Sequence, residues 1–137
     1  EAALEDYCRR QEERSGACIM LDVADGLDAL NDRVTLVAFR VVQEGVNNAL
    51  RHGKADEIQV ALKRDAVQLL LSVSDNGTGI LPAVQVAQGT SAGGVGLLAM
   101  RERIAALGGT LEIQPGTAGG VVLQARLPLN GVEKEEA

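Results

Sequence analysis

Aromatic side chains are nearly missing from this sequence, which has one Tyr, one Phe and no Trp in 137 residues. That argues against binding splayed bases by stacking, and it leaves the core to aliphatic residues. An excess of basic charge is missing too. Thirteen Lys and Arg face nineteen Asp and Glu, for a net charge of −6, so nucleic acid, which needs a basic face, is not an expected partner. No stretch approaches the ~18 consecutive apolar residues of a membrane span. Cys8, Cys18 and His52 are the only thiols and imidazole. Together they cannot complete a four-ligand Cys/His zinc site, and the cysteines read as two reduced thiols of a cytosolic protein. The sequence opens on Glu1 without a basic-then-apolar signal segment, so it reads as a piece of a longer protein.

What remains suits one folded domain. Hydrophobic residues make up 46% of the chain, enough for a continuous core. The pattern predicts a charged helix over Glu1–Arg14, a strand over Ala17–Val23 and a strong helix over Val34–His52. Asp56–Arg64 alternates Ile58, Val60 and Leu62 with polar partners, as a half-buried strand does. Ala66–Ser74 reads as a second, deeper strand. After a long Gly-rich loop, a helix over Gly96–Leu107 closes on Gly108-Gly109, and strands follow at Thr110–Pro115 and Val121–Leu127. Helices and hairpins without regular βαβ alternation predict an α+β fold: a two-layer α/β sandwich with a mixed sheet of about five strands under about three helices. The charged segment 130–137 reads as a disordered tail.

The second helix has an unusual polar face. At about 100° per residue, Arg40, Gln43, Glu44, Asn47, Asn48 and Arg51 share a sector of roughly 140°. Asn47 and Asn48 sit mid-helix, where Asn costs on the order of half a kcal/mol against Ala. Glu44 and Asn48 are four apart, so their oxygens can converge on one point. Carboxylate and amide oxygens suit Mg²⁺, and Arg51 is close enough to meet phosphate charge. An incidental Asn pair on a solvated face is the competing reading. His52, at the helix end, reads more readily as a C-terminal cap than as a chemical group.

In the strand before the long loop, Leu71, Val73 and Asp75 alternate on one face. A carboxylate among core positions needs hydrogen-bond donors, and the amino group of adenine is one. Asp75-Asn76-Gly77-Thr78-Gly79 follows. Asn-Gly can make a hairpin turn, but no alternating strand comes next, and Gly77 and Gly79 let the backbone approach a flat ligand. Gly93-Gly94-Val95-Gly96 then opens a helix, leaving free N–H groups and the positive dipole end as a phosphate site. Gly94–Ala99 also fits a G-x-G-x-x-A dinucleotide pattern, but no buried strand precedes it. No Lys follows the last glycine as a Walker A loop requires.

Taken together, E-x-x-x-N on a helix, D-x-G-x-G after a strand and G-x-G at a helix start resemble the GHKL superfamily of gyrase, Hsp90, MutL and histidine-kinase ATP-binding domains, built on the Bergerat fold. Residues 39–52, with Gln43-Glu44-Gly45-Val46-Asn47-Asn48, look like the N box of sensor histidine kinases of the nitrate/nitrite-sensor subfamily. Asp75–Ile80 looks like their first glycine box. Gly94–Arg103, with its M-R-E-R run, looks like the second. The resemblance covers about residues 16–129. It implies that Asn48 coordinates Mg²⁺ between the phosphates of ATP and that Glu44, the catalytic residue, holds or polarises a water beside the metal. It implies that Asp75 binds the adenine amino group, that Gly77 and Gly79 shape the purine slot, and that Gly94 and Gly96 let the helix start contact phosphates. Arg51, His52, Ile80 and Leu97, inside those boxes, count among the nucleotide-binding residues, and 81–93 would be a short lid.

The implied partners are the kinase's own dimerisation and phosphoacceptor domain and, through the full-length protein, a response regulator. Residues 1–15 would be the end of the upstream helical region, and the isolated domain is expected to be monomeric. Two departures stand out. The family's Gly-Thr pair in the last strand, whose hydroxyl supports the adenine-binding Asp, aligns with Gly120-Val121, so adenine binding is expected to be weaker or supported by Ser74 or water. The phosphoacceptor histidine is absent. A GHKL protein-serine kinase or ATPase, and a non-catalytic nucleotide-binding module, are the alternatives.

Overall fold

A computed structural model of the chain describes residues 2–24, 32–51, 55–77, 94–116 and 119–129, with only the backbone of 94–98. The order is α1 (Ala2–Ser15), β1 (Cys18–Val23), α2 (Asp32–Arg51), β2 (Glu57–Arg64), β3 (Gln68–Asp75), α3 (Gly94–Ala106), β4 (Thr110–Pro115) and β5 (Val121–Pro128). The strands form one sheet of five in the order β1-β2-β3-β5-β4. β1 runs parallel to β2, and the other pairings are antiparallel. This is the mixed sheet under three helices that the alternation implied.

Period-2 patterning gives the sheet a core face and a polar face. Ile58, Val60, Leu62, Leu69, Leu71, Val73, Leu123, Ala125 and Leu127 are all buried on the first. Gln59, Ser72, Ser74 and Gln124 lie on the second. The helices cover the core face. α2 supplies Val34, Val37, Val41, Val42 and Val46, and α3 supplies Met100 and Ile104. Each fully buried aliphatic chain contributes on the order of 1.5–3 kcal/mol. Gly45 brings α2 close to the sheet: a Cβ there would lie 3.0 Å from that of Val73. α1 joins the same core through Leu4, Tyr7 and Cys8. The Glu12 carboxylate accepts the Ile19 N–H of edge strand β1 at 2.7 Å.

The helix ends follow from glycine. Gly16 (φ +80°) ends α1, donating its N–H to the Glu12 carbonyl at 2.9 Å. At the end of α3, Gly108 (φ +89°) donates to Ala105 and Gly109 to Ile104, both at 2.9 Å, which is a Schellman closure. Several boundaries differ by one or two residues from the sequence reading. β3 begins at Gln68 rather than Ala66, because the Asp65 carboxylate captures the Val67 and Gln68 amides at 2.8 and 2.9 Å and makes the turn. α3 begins at Gly94 rather than Gly96, so both glycines sit inside the first helical turn.

No helix among the described residues is long and apolar enough to cross a membrane. Cys8 is buried, Cys18 is exposed, and both are free thiols.

Candidate functional site

The topology draws the sequence-marked segments to one end of the sheet. α2 ends at Arg51, and the chain turns back at once, with the Ala55 N–H on the Ala49 carbonyl at 3.0 Å. β2 therefore starts beside the C-terminal turns of α2, and its Ile58 pairs with Asp75 at the end of β3. β5 enters at the same end, where Val122 pairs with Ser74. The Gly108-Gly109 reversal sends β4 back along α3, and β4 finishes at this end with Pro115 opposite Val121. The N-terminus of α3 therefore lies there too.

On α2 the polar stripe changes character along its length. Arg40 and Arg51 are exposed, whereas Gln43, Glu44, Asn47 and Asn48 are half-buried. Half-burial of these four positions is the exposure a cleft wall gives. The Asn48 side-chain nitrogen donates to the Glu44 carbonyl at 2.7 Å. One of its two N–H donors is thereby used within the helix, and Oδ1 is the acceptor atom it offers to a ligand. Oδ1 and the Glu44 carboxylate are hard oxygen donors that fit Mg²⁺. Among the described residues no three His, Cys, Asp or Glu side chains cluster to hold a metal. A metal here would take most of its ligands from phosphate and water.

From α1, Tyr7 reaches the same stretch of helix. Its hydroxyl donates to the Gln43 carbonyl at 3.4 Å, and its ring meets Phe39 edge-on at 5.9 Å and 70°. Such a ring pair adds about 0.5–1.5 kcal/mol beyond area burial. Burial, with the charges of Cys8 and Glu44 nearby, pushes the Tyr7 hydroxyl up to about 12, so it stays protonated as a donor.

Asp75 is half-buried on the core side of β3. Burial holds its carboxyl above the ordinary range, against opposing hydrogen bonds from the Gly77 and Val121 amides. The Gly77 N–H lies 2.8 Å from Oδ1. Ser74, the substitute the sequence suggested, faces the other way, in register with Gln59 and Val122. Gly120 is buried with φ +77°, and a Cβ there would lie 2.0 Å from the Asp75 carbonyl oxygen and 2.6 Å from Oδ1.

Glu44, Asn48, Arg51, Asp75 and Gly77 thus occupy one end of the domain, and Gly94, Gly96 and Leu97 form the first turn of α3 beside them. The orphan amides of a helix start belong to those first residues. His52, Gly79, Ile80, the lid segment 81–93 and the tail 130–137 lie outside the described residues. Sequence reasoning missed Asn76 as an anchor. Its Oδ1 accepts the Asp56 and Glu57 amides at 2.9 and 3.0 Å. The only signal for it was an Asn directly after a strand.

Two hollows bear on the choice of site. One, of about 320 Å³, lies on the polar sheet face at the Asp75 end, walled by Gln59, Ser74 and Val122 together with Asp75 and Asn76. The other, of about 210 Å³, lies along the polar sheet face between Lys63, Ser72 and Arg126. No described residue of α2 or α3 lines either hollow, so neither is the space between Asp75 and the helices.

The chain matches a family described as "Histidine kinase-, DNA gyrase B-, and HSP90-like ATPase" over residues 32–131. It is 36% identical over 93% of its length to the sensor histidine kinase MctS of Rhizobium johnstonii, covering 27% of that protein. It is 35% identical over 90% of its length to the signal transduction histidine-protein kinase/phosphatase UhpB of Salmonella typhimurium, covering 24% of it. The chain thus spans about a quarter of these relatives. Among solved structures, the histidine kinase domain of a blue-light activated kinase from Erythrobacter litoralis superposes with a TM-score of 0.76 at 20% identity, over 96% of this chain and 62% of that one. That likeness is one of fold.

Proposed function

Since the chain belongs to the histidine kinase-, DNA gyrase B- and HSP90-like ATPase family, we propose that it is the ATP-binding catalytic domain of a two-component sensor histidine kinase. In the full protein it would hold Mg·ATP for γ-phosphoryl transfer to a histidine on a separate dimerisation domain. The observation that carries this reading is the convergence of the half-buried Glu44 and Asn48 with the anchored Asp75 at one end of the sheet.

The hydrogen bonds at Asn48 and Asp75 support the following roles. Asp75 Oδ1 is taken by Gly77, and the carboxylate's remaining acceptor capacity goes to the adenine amino group. Asn48 Oδ1 and, through water, Glu44 hold Mg²⁺. Once bound, Mg²⁺ supplies charge neutralisation on the β- and γ-phosphates. Glu44 orients a water beside the γ-phosphate. Arg51, exposed at the end of α2, meets phosphate charge. The first-turn amides of α3, at Gly94 to Leu97, face the phosphates with the positive end of that helix. We count His52, Gly79 and Ile80 among the nucleotide-binding residues as well. Catalysis of this kind is positioning and electrostatics, with little covalent chemistry for the protein.

The finer placement, in the nitrate/nitrite-sensor subfamily, rests on the N box and the M-R-E-R run of Met100–Arg103. Residues 16–129 would form the ATP-binding unit, with 1–15 leading from the upstream helical region. We place the domain in the cytoplasm, monomeric in isolation and coupled through the full protein to a response regulator.

The test supplies the parent kinase's dimerisation domain in trans with labelled ATP. Phosphohistidine should form on that domain and none on this chain. Phosphohistidine on this chain alone, phosphoserine on a partner, or steady ATP turnover without the added domain would contradict the proposal.

A further inference from the structure

We infer that Asn76 is a positioning residue for nucleotide selection: by tying the end of β3 to the start of β2 it sets the aim of the Asp75 carboxylate, and with it the preference for adenine over guanine. This rests on the adenine role proposed for Asp75.

Three hydrogen bonds hold residue 76 to the start of β2. Its Oδ1 accepts the amides of Asp56 and Glu57 at 2.9 and 3.0 Å, and its own N–H donates to the Glu57 carbonyl at 3.2 Å. The anchor itself is fixed, because the Asp56 carbonyl accepts the Cys18 N–H of β1 at 2.8 Å. Residue 76 is the middle of the Asp75-to-Gly77 turn, in which the Gly77 N–H closes on the Asp75 carboxylate at 2.8 Å. An Asx turn of this kind closes only while the dihedral angles of its central residue are held. On the far side Gly120 leaves no slack, since even a Cβ would lie 2.6 Å from Oδ1. The carboxylate is thus bounded by β5 on one side and aimed from the other by the backbone that Asn76 pins.

The consequence is specific to the base. Adenine presents an amino donor where guanine presents a carbonyl acceptor. A well-aimed carboxylate rewards the first and repels the second. One that swings free loses the reward without changing how the phosphates are held. Asn76 is itself exposed, so truncating it opens no cavity, and water can reach the amides it served.

The experiment measures ATP and GTP affinities of the 137-residue chain with Mg²⁺ by calorimetry, for the parent, Asn76→Ala, Asn76→Asp and Asp75→Asn. Asn76→Ala should lower the ATP-to-GTP preference about fivefold, through weaker ATP binding with GTP binding unchanged or tighter. Asn76→Asp keeps an acceptor in the same place and should hold the preference within about twofold. An unchanged preference in Asn76→Ala, or an equal loss for both nucleotides, overturns the inference. If Asp75→Asn keeps the parent's preference, the adenine role of Asp75 fails, and this inference falls with it. If Asp75→Asn abolishes the preference and Asn76→Ala does not, the failure belongs to Asn76 alone.

Discussion

Asp75→Asn should weaken ATP binding by about tenfold to a hundredfold, matching the roughly 1.5–3 kcal/mol of a hydrogen bond to a charged acceptor. The Gly77 amide claims the side-chain oxygen. In the variant the amide nitrogen is then left facing the adenine amino group, so a donor meets a donor. The substitution also carries a pH signature. Burial raises the folded-state pKa of Asp75 above its ordinary 3.8. The unliganded fold therefore favours the protonated acid. The associated stability is fully present below the ordinary value and is lost as pH rises through the higher folded one. Asn does not titrate, so the parent's melting temperature should fall relative to the variant's across that acid window. Asp65 is lowered by its own turn hydrogen bonds, but it is common to both proteins and cancels in the difference. ATP affinity of the parent runs the other way. It rises with pH through the same window, because the amino group needs the ionised carboxylate, and this rise should vanish in Asp75→Asn.

Gly120→Ala should destabilise the domain by about 2–5 kcal/mol, the sum of left-handed backbone strain and overpacking. With φ at +77° and a Cβ 2.0 Å from a backbone oxygen of Asp75, no flexible side-chain end is available to yield. The obstructing strand end is also pinned by Asn76. The control is Gly109→Ala. Its Cβ would lie 2.1 Å from the Arg126 carbonyl oxygen, at the opposite end of the sheet, where Thr110 pairs with Arg126. Both variants should unfold at lower urea. Only Gly120→Ala should lose ATP affinity in its folded fraction, since only there does the added methyl displace the carboxylate. Equal ATP affinity in the two folded variants would mean that the close approach of Gly120 to Asp75 has no part in binding.

The parts of this architecture that obey a short period were legible in the sequence. The α2 apolar arc and its polar stripe, the Ile58-Val60-Leu62 alternation and the core-side position of Asp75 all follow from counting residues along one face. The structure places them as counted. What periodicity could not show was contact across the chain. The Asn76 anchor joins residues nineteen and twenty positions apart, and Tyr7 meets Gln43 across thirty-six. Gly120 and Asp75 become neighbours only because β5 inserts between β3 and β4. The start of α3 was misplaced for a local reason. Gly94 and Gly96 are poor helix formers by propensity, and the strongly apolar face at Met100, Ile104 and Leu107 carries the helix back through them. Whether position 121 carries a hydroxyl is legible in the sequence; that Gly120 beside it packs against Asp75 is not.

If α2, the end of β3 and the start of α3 form one nucleotide site, titrating the chain with Mg·ATP should produce saturable amide chemical-shift changes at Asn48, Asp75 to Gly77, Val121 and the first turn of α3. No shifts at millimolar ATP, or shifts gathered on the opposite sheet face around Lys63, Ser72 and Arg126, would contradict it.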